Sequence, residues 1–353
     1  MSKCSSQDFA NLCWGLVRLR VPLGPGFKAA AAAQLVARAD SVEAPHLAVL
    51  LWALGKMEHR LSKRDLRTLE DATFLRMPQM AVKELATTVW GFAAMGQAPS
   101  VDWLSDFTLQ LRRHSGRISD QDWALVLRSL SAFRSSELGP EIEDLLVTEL
   151  EPRLGRLSPA TVATVIYSCG VLGSASPSIL TRSLALVKAN MSRHTPSELS
   201  SVLWACAQLE HQPGAPFMAA FEAGAARGGA PDASHAACYA WAMARLRIQP
   251  SAAWLESFMC ALPPLLPRMT PKEVATTTWA LAAWRAVLPS DVLAHLSTTA
   301  KAVELRWDAQ TQGQMRKAMA RLRIHTLKAT SPDALLYTLP EGGMEETEMM
   351  LAL

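Results

Sequence analysis

Two sets of polar side chains return along the chain at intervals of about 38 residues, a length typical of structural repeats. The first set carries hydroxyl or amide groups, which exchange hydrogen bonds with base edges: Asn11, Thr87, Thr164, Ser201, Thr276 and Gln314. The second set consists of cations and one glutamine: Arg18, Arg20, Lys56, Gln208, Arg245, Arg247 and Arg321. In modular RNA-binding arrays, one or two side chains per repeat meet each base, and cations neutralise phosphates. Cations near a helix C-terminus also stabilise the helix dipole, so each of them has two interpretations.

The interval is defined by a column of nine positions, six of them tryptophan: Trp14, Trp52, Trp90, Arg128, Tyr167, Trp204, Trp241, Trp279 and Lys317. The gaps between neighbouring members of this column are nearly equal. The segment AMARLRI, at 242–248 and again at 318–324, returns after two such intervals. Self-similarity at a fixed period of this size is typical of a solenoid. The repeat therefore predicts a solenoid instead of the two domains that the length of the chain alone suggests.

In each repeat, the residues around the column position predict a helix. We call it helix B. Small and large apolar residues four before and five after the column form the stripe of a buried helix. Nine positions before the column stand good N-cap residues: Ser5, Ser119, Ser158, Thr195, Asp232, Thr270 and Asp308. Proline occupies the first helical position in three repeats, where its missing N–H costs nothing.

A second helix, which we call helix A, fits between consecutive B helices. In several repeats a proline stands about ten positions after the column. A stretch with apolar residues at helical spacing follows it. Trp103 follows Trp90 by the same number of residues as Trp254 follows Trp241. The two tryptophans therefore occupy equivalent positions in helix A. Each repeat is therefore an αα-hairpin that cannot bury its apolar faces alone and must stack on its neighbours.

The predicted fold is all-α, a solenoid of about eight to nine αα-hairpins over residues 1–325. Over residues 326–353 we expect a partial helix followed by an acidic, poorly ordered tail. The first repeat begins at Ser5 with helix B and has no helix A before it. Two interpretations stay open: residues 1–20 form a cap, or the sequence is a fragment of a longer array.

Composition and motifs exclude several classes of function. Half of the residues are hydrophobic and 19% are charged, as in ordinary globular proteins, and no apolar run approaches the ~20 residues that span a bilayer. Neither a secretory signal nor an obvious transit peptide is visible. Six scattered cysteines without C-x-x-C argue against disulfides or zinc. Catalytic signatures are missing, so we predict no enzyme, cofactor, metal or small-molecule substrate. The net charge of +3 permits a polyanionic partner without requiring one.

The tryptophans of the column have two possible roles. They would serve as platforms on which bases stack, but their sequence neighbours are apolar, which favours packing in the core or between repeats. Arg128 interrupts the aromatic series inside the array and is the column residue that we expect first to face a ligand. Lys317 is expected on a solvated end face.

Several segments resemble the octotricopeptide-repeat family. LAVLLWALGKM, LSSVLWACAQL and VATTTWALAAW are similar to that family's core, LANxLWALAKLG, which related FAST-kinase-like and RAP-domain proteins share. The repeat length and the Pro…Trp-Leu pattern of helix A, in Pro99 with Trp103-Leu104 and Pro250 with Trp254-Leu255, match it too. The resemblance covers roughly residues 5–325.

The resemblance implies a right-handed superhelix that binds single-stranded RNA and acts in organelle RNA processing, stability or translation. It implies a location in the chloroplast or mitochondrion and other RNA-processing proteins as partners. Because no RAP-like pattern is visible at the C-terminus, no nuclease-like activity is expected.

A protein-interaction scaffold of the armadillo, HEAT or tetratricopeptide type is the alternative, since such arrays use the same architecture. The modest net charge and the Ala-rich middle repeats favour it. A continuous basic stripe on one face would indicate RNA, whereas a broad apolar or acidic groove would indicate protein.

Overall fold

A computed structural model of the protein describes residues 5–114, 116–133, 144–173, 175–227 and 232–330. All regular elements in these ranges are helical, and no strand occurs in them. Two compact units are present, Met1–Leu186 and Val187–Leu353, which we call unit 1 and unit 2. The predicted all-α solenoid of helical hairpins is confirmed.

The α-helices alternate between the predicted types. The B helices are α1 (Ser6–Arg18), α3 (Ala44–Lys56), α5 (Val82–Ala94), α7 (Asp120–Phe133), α8 (Pro159–Leu172), α10 (Pro196–Gln208), α12 (Ala233–Arg245), α14 (Pro271–Ala283) and α16 (Ala309–Thr330). The A helices are α2 (Pro25–Ala37), α4 (Lys63–Arg76), α6 (Val101–Arg113), α9 (Pro177–Ala189), α11 (Ala215–Arg227), α13 (Ala252–Leu265) and α15 (Ser290–Val303). Between α7 and α8, the described chain forms a π-helical turn at Leu146–Leu150 and a 3-10 helix at Glu151–Arg156.

The B helices begin where their N-cap residues predict. Ser5, Thr195 and Thr270 each accept a hydrogen bond from the backbone N–H three residues on. In the same three helices an acidic side chain at that third position accepts from the backbone N–H of the cap residue, which completes a capping box. These local hydrogen bonds fix where the three helices begin.

The two tryptophans of helix A, Trp103 and Trp254, lie in the core. Trp103 is 2% exposed, and its indole N–H donates to the Thr73 hydroxyl at 2.8 Å. Its ring stacks on Phe107 with centroids 5.3 Å apart. Trp254 and Phe258 repeat this arrangement in unit 2 at 5.0 Å. Because the indole N–H of Trp103 is satisfied, that ring is buried without leaving an unpaired donor.

Within each unit, each B helix packs directly on the next, whereas consecutive A helices touch more lightly. Gly91 marks the closest approach of α3 and α5. A Cβ at this position would lie 2.8 Å from the carbonyl carbon of Leu51. The two backbones can approach so closely only because Gly91 has no side chain.

The B helices end in a recurring turn, six positions after the column. In the second repeat, the Glu58 N–H bonds to the Gly55 carbonyl at 3.0 Å, and the His59 N–H to the Leu54 carbonyl at 3.2 Å. This pair of bonds is a Schellman motif, which needs a left-handed residue at its centre. That residue is not glycine in five repeats: Arg20, Glu58, Glu210, Arg247 and Arg285, with φ between 50° and 55°. In the third repeat it is Gly96, with φ 66°.

The turns that follow consecutive B helices are joined by glutamine side chains. The Gln97 amide accepts from the Leu61 N–H at 2.8 Å and donates to the Leu61 carbonyl at 3.0 Å. In unit 2, Gln249 donates to the Trp284 carbonyl at 3.3 Å. These bonds link the turns of neighbouring repeats.

The last B helix runs on past the expected turn. α16 continues to Thr330, so only the first five residues of the expected partial helix and tail over 326–353 are described. Residues 331–353 lie outside the described part of the chain.

We expect Gly91→Ala to lower the free energy of unfolding by about 1–3 kcal/mol, because the new methyl group must push α3 and α5 apart. Urea unfolding followed by far-UV circular dichroism measures the change. Gly155→Ala is the control, since a Cβ there meets nothing within 4 Å. Equal losses in the two variants would contradict the close-approach argument.

We expect Glu58→Gly to raise the free energy of unfolding by about 1 kcal/mol, because glycine removes the cost of a left-handed conformation. The reciprocal change, Gly96→Ala, should lower it by a similar amount. Thermal unfolding of both variants beside the parent protein checks the pair. A shift of the same sign in both variants would show that other contacts control these turns.

Candidate nucleic-acid interface

Four positions of each B helix form one exposed face, which we call the B face. They lie seven and three residues before the column, at the column, and four residues after it. Residues at these spacings share one side of an α-helix. The predicted hydrogen-bonding set occupies the position three before the column, and Arg18, Lys56, Gln208, Arg245 and Arg321 occupy the position four after it. The B face therefore brings both predicted sets together with the column.

The column tryptophans, predicted to pack in the core or between repeats, differ in burial from one repeat to the next. Trp14 is 48% exposed, and Trp52 and Trp90 are only half-buried. The prediction holds for Trp241, which is 4% exposed. Arg128, the column residue expected to face a ligand, has an exposed side chain, and so does Lys317 on α16.

The three column tryptophans of unit 1 alternate with two cations on consecutive B helices. The Arg18 guanidinium carbon lies 5.6 Å from the centroid of the Trp14 ring. The Lys56 ammonium nitrogen reaches from α3 onto the next repeat, 4.8 Å from the centroid of the Trp90 ring. The Trp52 and Trp90 rings are 6.4 Å apart, with an angle of 36° between their planes. We call this set the aromatic–cation row.

The Trp90 ring also fixes the contact between repeats. A Cβ on Gly55 of α3 would lie 3.3 Å from Cζ3 of that ring. One side of the indole therefore packs on the preceding helix while part of it stays open to solvent. The cation–π contacts of Arg18 and Lys56 contribute about 0.5–1 kcal/mol each at such exposed sites, and both cations are exposed.

The hydroxyls three residues before the column already donate hydrogen bonds to their own helices. Thr87 donates to the Lys83 carbonyl at 2.6 Å, Thr164 to the Ala160 carbonyl at 3.0 Å and Ser201 to the Ser197 carbonyl at 3.0 Å. All three are half-buried. In this geometry each hydroxyl oxygen keeps lone pairs for a donor on a ligand.

Three residues of the B face in unit 2 are buried or paired. Thr276, which was predicted to contact RNA, is only 4% exposed and donates to the Lys272 carbonyl at 2.7 Å. Its hydroxyl is therefore too buried to meet a base. Arg245 forms an ion pair with Glu210 of the preceding repeat at 2.9 Å. Trp241 is buried as well, whereas Trp204 and Trp279 are half-buried, as Trp52 and Trp90 are in unit 1.

The remaining predicted residues fall into two groups. Asn11 is exposed on the B face, and Gln208, Gln314 and Arg321 are half-buried on it. Arg20 and Arg247 lie instead in the left-handed turns beyond the B helices, with exposed side chains. The cationic position four after the column is occupied by Ala94, Ala132 and Val171 in the third to fifth repeats, so the cations form no continuous stripe.

Sequence reasoning missed two components of this surface. It favoured packing in the core or between repeats for the column tryptophans, although their spacing places them on the same side of helix B as two positions that were assigned to solvent. It also missed Lys83, an exposed cation seven residues before Trp90. The period of the α-helix would have found both.

Other chemistry has little support in the described ranges. No group of three or more His, Cys, Asp or Glu side chains there is arranged to hold a metal ion. Burial raises the pKa of the Cys13 thiol to about 11 and that of Cys206 to about 12, which disfavours the reactive thiolate. Among the same residues, no helix combines the length and apolarity that a membrane span requires.

A family model described as the Tbc2 translation factor, N-terminal domain, matches the chain twice, over residues 1–140 and 132–303. Each match covers repeats of both helix types. No curated protein matches the chain at a significant level.

We expect Trp14→Ala to leave the free energy of unfolding within about 0.5 kcal/mol of the parent, as at other exposed sites. Trp241→Ala should lower it by about 3–5 kcal/mol, because the substitution opens a cavity in the core. Urea unfolding of the two variants measures the contrast. Similar losses would mean that the exposed and buried members of the column have the same structural role.

Proposed function

The chain belongs to the family of the Tbc2 translation factor N-terminal domain, and we propose that it is a non-catalytic, sequence-selective protein that binds single-stranded RNA in the control of translation. The description of that family names a translation factor, and the two matches together extend over residues 1–303. The RNA itself is inferred from the surface chemistry of unit 1.

The observation that carries this proposal is the aromatic–cation row of unit 1. Three tryptophans on consecutive B helices are partly open to solvent, and two of them have a cation over the ring. Base stacking on aromatic side chains contributes about 1–3 kcal/mol per base. Arginine and lysine beside the rings supply the charge that phosphates require. A strand that follows the B face over the first three repeats would meet the three rings, with Arg18 beside Trp14 and Lys56 beside Trp90.

Selectivity would come from the half-buried hydroxyls beside the rings. Thr87 and Thr164 donate to their own helices, so their oxygens are placed to accept from the exocyclic amino groups of adenine, cytosine or guanine. Stacking alone tolerates every base. A preference at individual positions therefore depends on these hydroxyls and on Asn11, which is exposed and carries both a donor and an acceptor on its amide.

The resemblance to octotricopeptide-repeat proteins supports a narrower setting for this function. It favours the processing, stability or translation of organelle transcripts, in a chloroplast or mitochondrion, together with other RNA-processing proteins. Recruitment of such partners would supply any catalytic step, because we propose none for this chain.

Selection from a random single-stranded RNA pool at two salt concentrations tests the proposal. We expect enriched sequences that bind the parent protein and lose about 1–3 kcal/mol of binding free energy for each stacking residue removed in Trp52→Ala or Trp90→Ala. Absence of retained RNA, or retention without sequence enrichment, would contradict a selective RNA-binding protein. Retention of proteins but not of RNA would favour the interaction scaffold.

The salt dependence of binding tests the cations separately. Arg18→Ala with Lys56→Ala should flatten the plot of log affinity against log salt by about 1.4, since each phosphate contact to a single strand contributes about 0.7. Lys63→Ala with Arg64→Ala is the matched control, because it removes the same charge from exposed positions at the start of α4. An equal change of slope in both double variants would mean that only net charge matters.

A further inference from the structure

The outward side of the last B helix differs in chemistry from the same side of the other eight. The position one residue before the column is buried in every earlier repeat: Cys13, Leu51, Val89, Leu127, Ile166, Leu203, Ala240 and Thr278. In α16 this position is Arg316, which is exposed. The position five residues before the column holds a buried apolar residue in each of the first eight repeats. In α16 the same position holds Gln312, which is half-buried. α16 therefore presents a polar and cationic side where the others present an apolar one.

A groove of about 280 Å³ opens on this side of unit 2. Its apolar floor is formed by Ala300, Trp307, Met315, Met319 and Ala320. Two observations show that the floor is a fixed and distinct surface. The Trp307 indole N–H donates to the Pro271 carbonyl at 2.8 Å, which holds the ring in place. Met319 is half-buried, although its equivalents in repeats two to eight are buried.

The edges of the groove are cationic. Lys301, Arg316 and Arg323 are exposed around it, and Glu304 is the one carboxylate among the described residues that line it. Arg316 forms an ion pair with Glu304 at 3.3 Å. Lys301 and Arg323 form no ion pair with the described residues. An occupant of this groove should thus combine large apolar side chains with negative charge.

The chain directly after α16 has this composition. Residues 331–353 read SPDALLYTLPEGGMEETEMMLAL, with five acidic residues and no lysine, arginine or histidine. Leucine and methionine side chains are interspersed with the acids. α16 ends at Thr330, about 16 Å along the helix axis from Met319 at ~1.5 Å per residue. A segment of this length easily spans that distance, and its attachment gives it a high effective concentration at the groove.

We propose that residues 331–353 dock in this groove of the same chain. Leucine and methionine side chains lie on the floor beside Trp307 and Met319, and the acidic side chains meet Lys301, Arg316 and Arg323. The docked segment covers the apolar surface that α16 leaves open. This inference is independent of RNA binding, because the groove is not on the B face of unit 1.

Photo-crosslinking in the full chain tests the docking. We would place p-benzoylphenylalanine at Met319 in the groove or, as a control, at Leu305, which is 96% exposed and outside the lining. Mass spectrometry should find crosslinks from position 319 to residues 331–353 of the same chain, and few from position 305. Crosslinks from 319 to a second copy or to other segments, or equal yields from both positions, would overturn the proposal.

Charge reversal tests the cationic edge with the same probe. Lys301→Glu and Arg323→Glu should each reduce the crosslink from position 319 by about two- to five-fold, the range for one exposed ion pair, and added salt should do likewise. Arg306→Glu is the matched control, since it is exposed in the adjacent turn but does not line the groove. An unchanged yield in the first two variants, or an equal reduction in the control, would contradict the assigned contacts.

Discussion

The structure depends on the packing of each B helix against the next. A single two-helix repeat has too little surface to bury its own apolar side chains, so its stability comes from its neighbours. The positions that face a neighbour are therefore apolar and buried through most of the array, as at Leu51, Val89 and Leu203. Where the backbones come closest, Gly91 replaces a side chain with direct contact to Leu51. Caps at one end and left-handed turns at the other keep most B helices to nearly the same length.

This packing has a direct consequence for the surface. Once the two neighbouring sides and the side toward helix A are buried, each B helix has one side left, and the same four positions occupy it in every repeat. Unit 1 places tryptophans and cations there, in contact across repeats through the Lys56 ammonium over the Trp90 ring. In unit 2 the same positions hold buried Trp241 and the paired Arg245. The same positions of one scaffold thus differ in exposure and pairing from one repeat to another.

The last described helix of the array faces a different constraint, because no repeat follows it within the described residues and part of the side that is buried in the other repeats is exposed. α16 meets this constraint through substitution, with Arg316 where the other B helices have a buried residue. The substitution is incomplete, since Trp307 and Met319 still form an apolar floor. An acidic and apolar segment complements this mixture of charges and hydrophobic surface better than another repeat of the internal type would.

The sequence by itself determined the helices, their caps and the repeat, because these follow from local hydrogen bonding and from the period of apolar residues. Ser5, Thr195 and Pro271 mark their helix starts without any knowledge of distant contacts. The sequence also predicted which polar positions share a face. Only the tertiary structure decided which column residues are exposed, because Trp14 and Trp241 have the same place in the repeat and differ in what packs over them. The burial of Thr276 and the pairing of Arg245 with Glu210 were equally beyond the sequence, since both depend on how neighbouring repeats pack together.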